Sequence, residues 1–220
     1  MEKFWNYIRI CHVCKRYELV STSLLCDSCK NQLLHESDLS QKELYLDLGF
    51  TVYNWCHWTE DNDPLLRPII YALKGGYLKQ AIYELCTEVS LHVSEAFQNQ
   101  PILLPAPSKN KNQKDHAYII AESLAEIFNL KIINAFERVN TSALQKSKSK
   151  NQRKLPNLKL NSDLTLTERK SLLNPENNLL FIDDIVTTGS TAKHAFNNVN
   201  KHYKFSAFSL FYRPLKFNDD

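Results

Sequence analysis

Glycine is scarce in this chain, four of 220 residues, so each one is expected where the backbone requires it. Apolar runs are short: none approaches the roughly 20 residues that a membrane-spanning helix needs. The opening residues 1–10 mix Glu2, Lys3, Asn6 and Arg9 among apolar side chains, without the continuous apolar stretch of a secretory signal. No membrane span and a cytoplasmic location are therefore expected. A strong charge of one sign is missing too. The formal charge is +3 at pH 7, short of the excess that by itself marks a nucleic-acid binder. Internal repeats are not evident, and the Walker A and GxGxxG patterns of phosphate and dinucleotide loops are absent.

What the chain has is an ordinary globular composition, 43% hydrophobic and 23% charged, far from that of disordered sequences. Its length accommodates one α/β domain with a sizeable core, plus a satellite too small to fold on burial alone. Six cysteines in a reducing compartment point to metal rather than to disulfides. Cys11 and Cys14 form one CxxC and Cys26 and Cys29 a second, with eleven residues between the pairs. Two such knuckles complete the tetrahedral thiolate shell that Zn²⁺ prefers, with no position open for catalysis. The expectation is a structural zinc whose binding energy replaces the core that about thirty residues lack. A redox dithiol or an iron–sulfur cluster would use the same thiolates. Polar turn residues flank both pairs, whereas a redox CxxC normally opens a helix after a strand. His12 reads as a surface residue and Cys86 as a buried, inert thiol on a helix stripe.

The segment 44–58, rich in Tyr, Phe, Val, Thr and Trp, reads as extended structure. Asp63 and Pro64 open a helix with a stripe of Leu65, Leu66, Ile69, Ile70 and Leu73, stopped by Gly75. A second stripe runs through Leu78, Ala81, Ile82, Leu85 and Val89. Residues 102–104, closed by Pro105 and Pro107, read as a buried strand. Asp115 caps a helix whose apolar face is Ala117, Ile120, Ala121, Leu124, Ala125 and Phe128, and 130–135 is strand-like. From 141 to 161 the chain is polar and basic with no stripe that could dock on a core, so a mobile loop is expected. A strand at 179–182, a helix over 192–202 and a strand at 205–212 complete the pattern. Strands alternating with helices predict a mostly parallel sheet flanked by helices.

Residues 179–191 read LLFIDDIVTTGST. The four leading apolar residues suit a buried parallel strand, which places Asp183 and Asp184 at its carboxyl end, where open α/β sheets bind ligands. Thr187, Thr188, Gly189, Ser190 and Thr191 then curl into a helix start. Its N–H groups and dipole favour an anion, and the hydroxyls add donors. Two acids beside a phosphate cradle make sense when the ligand also offers hydroxyl groups, as a ribose does. The alternative is an ordinary strand with both acids as helix caps. Lys74 and Gly75, at a helix end, suit the pyrophosphate end of such a ligand or simply stop the helix. After Pro107, Ser108, Lys109, Lys111 and Lys114 form a polar, cationic loop that closes over the ligand or stays solvated.

The order of a Cys₄ knuckle pair, LKGG at 73–76, PAP at 105–107, Thr141 with Gln145, and DDIVTTGST resembles the ComF family. Residues 179–191 are similar to the phosphoribosyl pyrophosphate (PRPP) loop of type I phosphoribosyltransferases. The resemblance covers nearly the whole chain. It implies a type I phosphoribosyltransferase fold over residues 44–220, carrying a small amino-terminal Cys₄ zinc module over residues 1–43. It also implies PRPP binding with Mg²⁺ and a role in the uptake or processing of single-stranded DNA during natural transformation. Other competence proteins, a ComF helicase and a DNA-processing protein, are the implied partners, and the inner face of the cell membrane is an alternative location. One departure stands out: where family members carry an RGFNQ-type segment, this chain has Lys114, Asp115, His116, Ala117 and Tyr118. Only the lysine keeps the charge, which leaves turnover open.

Two functions follow. The first is an enzyme that transfers phosphoribose to an unidentified acceptor, with Asp183 and Asp184 holding the ribose and stabilising positive charge at the anomeric carbon. The second is a competence factor that binds single-stranded DNA. Lys146, Lys148, Lys150, Arg153 and Lys154 crowd into nine residues that contact phosphates, with aromatic side chains to stack on bases, or that form a solvated loop.

Overall fold

The computed structural model describes residues 8–19, 25–39, 43–44, 46–74, 79–108, 115–139, 158–199 and 204–214. An antiparallel ribbon of β1 (Ile8–Ile10) and β2 (Tyr17–Leu19) precedes helix α1 (Asp27–Asp38). The main sheet contains β3 (Glu43–Leu44), β4 (Thr51–His57), β5 (Ile102–Pro105), β8 (Leu179–Val186) and β9 (Phe205–Tyr212), in the order β3-β4-β9-β8-β5. β3 runs antiparallel to β4, and every other neighbouring pair is parallel. A second ribbon joins β6 (Phe136–Arg138) to β7 (Leu158–Leu160). Helices α2 (Asp63–Lys74), α3 (Lys79–His92), α4 (His116–Phe128), α5 (Leu166–Leu173) and α6 (Ser190–Asn198) lie between strands in the chain. The fold is α/β, a mixed and mostly parallel sheet flanked by helices.

Both faces of the sheet are covered, which is why its central strands read as continuous apolar runs rather than as alternating ones. Successive strand residues point to opposite faces. Leu180 and Ile182 of β8, with Phe208 of β9, pack in one core with residues of α1, α2, α3 and α4. Leu179, Phe181 and Ala207 pack in a second core with α6 and the β6–β7 ribbon. Asp115 caps α4 as its sequence promised, its carboxylate accepting the His116 N–H at 2.8 Å. Asn129 closes that helix in the left-handed conformation, φ 54°, which Asn tolerates better than most residues.

Several elements differ from their sequence pattern. The strand-like run at 130–135 is a single parallel bridge between Leu103 and Ile132, held by Leu103 N–H to Lys131 O at 2.8 Å and Ile133 N–H to Leu103 O at 3.0 Å. Residues 158–160, expected inside a loop, form β7, because Leu158 turns into the core while Lys159 faces solvent. The last helix starts at Ser190 and ends at Asn198. Helix α5 has no apolar stripe and is fixed instead by a capping box, with the Thr165 hydroxyl accepting the Glu168 N–H and the Glu168 carboxylate accepting the Thr165 N–H.

The amino-terminal module shares its core with the sheet domain. Cys11, Cys26, Cys29 and Leu33 are buried in the same cluster as Trp55 and Leu66. An ion pair between Lys30 and Glu88 and the contact of His92 Nδ1 with the Asp38 carboxylate, at 3.1 Å, tie α1 to α3. The burial that some thirty residues lack alone is thus completed by α2 and β4.

Candidate functional site

Parallel strands deliver their carboxyl ends to one side of the sheet, where the end of β8 meets three further segments. Trp58 follows β4, Ala106 follows β5, and Arg213 follows β9. Backbone bonds fix them to the neighbouring strands: Trp58 N–H to Tyr212 O at 2.7 Å, Ala106 N–H to Ile182 O at 2.8 Å, and Arg213 N–H to Val186 O at 2.8 Å. Between them lies a cavity of about 600 Å³, a volume suited to a small-molecule ligand.

Asp183 and Asp184 line this cavity. Their position differs in one respect from the sequence pattern: β8 continues four residues past Ile182 to Val186, so the acids lie within the strand. β5, however, pairs with β8 only as far as Pro105 opposite Ile182, while β9 accompanies β8 to Val186. The two acids therefore stand on an edge that β5 has vacated, and side chains from α4 and β6 border the same space.

Asp184 is 8% exposed. Its Oδ2 lies 3.2 Å from His116 Nε2, and the other ring nitrogen of His116 pairs with Asp115. Asp183 Oδ1 accepts the Asp184 backbone N–H at 2.9 Å. Burial, and then the charge of Asp184, hold the Asp183 carboxyl well above the usual carboxylate range, with the Arg138 guanidinium pulling the other way. Ionising both acids together is costly unless a cation or a hydroxyl-bearing ligand enters.

Three guanidinium groups also line the cavity. Arg138 is anchored by its Nε–H on the Pro107 carbonyl at 2.8 Å. Arg213 lies over the Trp58 ring, 4.3 Å from its centroid, and the Trp58 indole N–H donates to Asp63 at 3.0 Å. Asp63 also pairs with Arg67 at 2.7 Å. Trp58, Arg67, His116, Arg138 and Arg213 belong to no motif, and sequence reasoning did not select them as ligand-binding residues. The only signal was the Asp115-His116 departure after the PAP loop.

In the 187–191 turn, Thr187 is exposed and lines the cavity. Thr188 is exposed, and its hydroxyl accepts the Ser190 N–H at 3.4 Å. Gly189 starts α6 at φ 69°, with no side chain capping the helix. A Cβ at Gly189 would run into Cδ1 of the half-buried Leu48, whose side chain would have to turn aside, so it is chiefly the positive φ that requires glycine here. Ser190 and Thr191 are half-buried in the first turn of α6. Lys74 is the last residue of α2; its side chain and Gly75 lie outside the described residues, as do Lys109, Lys111, Lys114 and the cluster Lys146, Lys148, Lys150, Arg153 and Lys154.

At the opposite end of the chain, the Sγ atoms of Cys11, Cys14, Cys26 and Cys29 all lie within 4.8 Å of one another. The Cys14 and Cys26 sulfurs are 3.6 Å apart; tetrahedral thiolates around Zn²⁺ stand about 3.8 Å from each other. The set fits one metal ion such as zinc. The first knuckle closes with Lys15 in the left-handed conformation, its N–H on the Cys11 carbonyl at 3.0 Å. The second knuckle departs from the turn expected: Cys26 is the N-cap of α1 and Cys29 lies in its first turn. Burial raises the Cys11 thiol, but backbone N–H groups of Cys26, Cys14 and Val13 outweigh it and bring the value down to about 6. Burial and the neighbouring thiols push Cys29 the other way, so four thiolates need a cation among them. His12 is half-buried rather than on the surface. Cys86 is fully buried in α3, and burial pushes its thiol up, as expected of an inert core thiol.

Among the described residues, no helix is long and apolar enough to cross a membrane. No family model matches the chain, and no curated protein matches it.

Proposed function

We propose that the cavity binds PRPP or a closely related sugar phosphate. In this reading the turn 187–191 and the start of α6 take the 5-phosphate, and Asp183 and Asp184 take the ribose hydroxyls. Arg67, Arg138 and Arg213 supply positive charge for the remaining phosphates. The observation that supports it is the meeting, in one cavity of about 600 Å³, of two acids with three guanidinium groups and Thr187, the first residue of the hydroxyl-rich turn that leads into α6. A ligand bearing only phosphates would be repelled by the acids, and one bearing only hydroxyls would make no use of the guanidinium groups. Mg²⁺, arriving with PRPP, would neutralise the pyrophosphate. A Zn²⁺ ion on Cys11, Cys14, Cys26 and Cys29 would brace the amino-terminal module.

If phosphoribose is transferred, positive charge develops at the anomeric carbon as pyrophosphate leaves. The carboxylates next to the ribose would stabilise that carbon and the guanidinium groups the leaving group. The wider role, a ComF-type competence protein acting on single-stranded DNA, rests on the sequence resemblance. The test of the site is calorimetric titration with PRPP and Mg²⁺, comparing wild type with the double variant Asp183→Asn, Asp184→Asn. Saturable binding lost in the variant supports the reading, and equal binding by both refutes it.

A further inference from the structure

We infer that His116 is a positioning residue for the sugar-binding acid, holding Asp184 in place from the amino terminus of α4. This rests on the reading of Asp183 and Asp184 as the ribose-binding pair. His116 is the first residue of α4, and its ring is fixed from one side by Asp115, the helix cap, which pairs with Nδ1. Its other nitrogen, Nε2, reaches Asp184 Oδ2 at 3.2 Å. The ring thus spans the gap between a loop carboxylate and a strand carboxylate. It does so where β5 has ended at Pro105 and, among the described residues, no strand pairs with that side of β8 beyond Ile182.

The geometry explains what the contact is for. A carboxylate on a vacated strand edge has two rotamer-rich torsions and several nearby cations to choose from, and Arg138 stands in the same cavity. Pinning Oδ2 on a ring that is itself pinned fixes the plane of the carboxyl group before a ligand arrives, which lowers the ordering cost of binding. The chain Asp115–His116–Asp184 is also the physical content of the departure from the RGFNQ pattern. At this step in the chain, the sequence places an imidazole that reaches Asp184 and an acid that holds the imidazole.

Amide side chains separate the two contacts, because the Gln amide nitrogen reaches the place of Nε2 and the Asn amide that of Nδ1. His116→Gln keeps a donor for Asp184, while His116→Asn keeps only the Asp115 side. In PRPP·Mg²⁺ titrations of the full chain, His116→Ala and His116→Asn are expected to bind about tenfold more weakly, and His116→Gln to recover most of the loss. In an Asp184→Asn background, His116→Ala should change nothing further. Equal losses for Gln and Asn, or effects that multiply in the double variant, overturn the inference. A ligand-free readout separates this from the sugar-phosphate reading. In ¹⁵N spectra of the His116 ring, Asp184→Asn should move the Nε2 resonance and Asp115→Asn the Nδ1 resonance. If wild type fails to bind PRPP, the sugar-phosphate reading falls and these resonances still decide the contact: movement supports it, and an unmoved Nε2 sinks it.

Discussion

Arg213 lies over the Trp58 ring, its guanidinium carbon 4.3 Å from the centroid, and the indole beneath it is held by Asp63. A guanidinium already packed against a ring loses less side-chain freedom on meeting an anion than one free in solvent. Arg213→Ala should weaken PRPP binding by about tenfold, and Arg213→Lys should recover only part of it, since an ammonium neither stacks nor forks. Calorimetry on the three proteins decides this. Full recovery by lysine would mean that only net charge matters at this wall.

Asp183 gives the site a pH signature in stability. Its carboxyl is raised well above the ordinary value in the fold, by burial first and by the charge of Asp184 second. The folded state therefore holds this proton more tightly than the unfolded chain. The stabilisation from that proton is complete below the unfolded value, near pH 4, and is lost as pH rises through the raised value. Asp183→Asn removes the dependence. Its melting temperature should exceed that of wild type by a margin that grows between pH 5 and pH 8, on the order of 2–4 °C for each kcal/mol relieved. A margin that stays constant across that range contradicts the assignment.

Gly189 tests the turn. An alanine there meets a positive φ of 69° and a Cβ position that Leu48 Cδ1 crowds. Gly189→Ala should cost about 1–3 kcal/mol in denaturant unfolding and abolish PRPP binding. Adding Leu48→Ala removes the clash but not the backbone strain, so it should restore part of the stability and little of the binding. Complete recovery in the double variant would show that the left-handed conformation is not needed.

How much of this was legible in the sequence depends on whether a feature is local. The acids of β8, the turn around Gly189 and the two CxxC pairs are contiguous, and their chemistry demands a fixed spacing. The parallel strands were legible because sheets covered on both faces need unbroken apolar runs such as 179–182 and 205–212. The cavity wall was not. Trp58 and Arg213 are single residues that follow β4 and β9, which only the strand order makes neighbours, and Arg138 comes from the separate β6–β7 ribbon. Helix α5 carries exposed Leu166 and Leu173 and no periodic stripe, so periodicity was silent, although Thr165 and Glu168 spell a capping box. β7 was hidden because two leucines in a basic stretch look like noise until β6 is seen beside them.

The cysteine cluster predicts one metal per chain. Metal analysis of protein purified without chelator should find about one zinc, and Cys26→Ser should lose it. Because Cys26 and Cys29 are buried with Trp55, loss of the metal should reach the sheet domain. A melting temperature lower by roughly 5 °C or more, with a change in tryptophan fluorescence, is expected. An unchanged melting profile in the metal-free variant would show that the module does not brace the core.

The occupant of the space between β8 and the start of α6 decides the function of the site. A crystal of the full chain soaked in PRPP and Mg²⁺ measures this directly. Density is expected with a phosphate against the amides of residues 187–191 and ribose hydroxyls on Asp183 and Asp184. A turn left empty, with the ligand elsewhere and both acids in unchanged contacts, would contradict it.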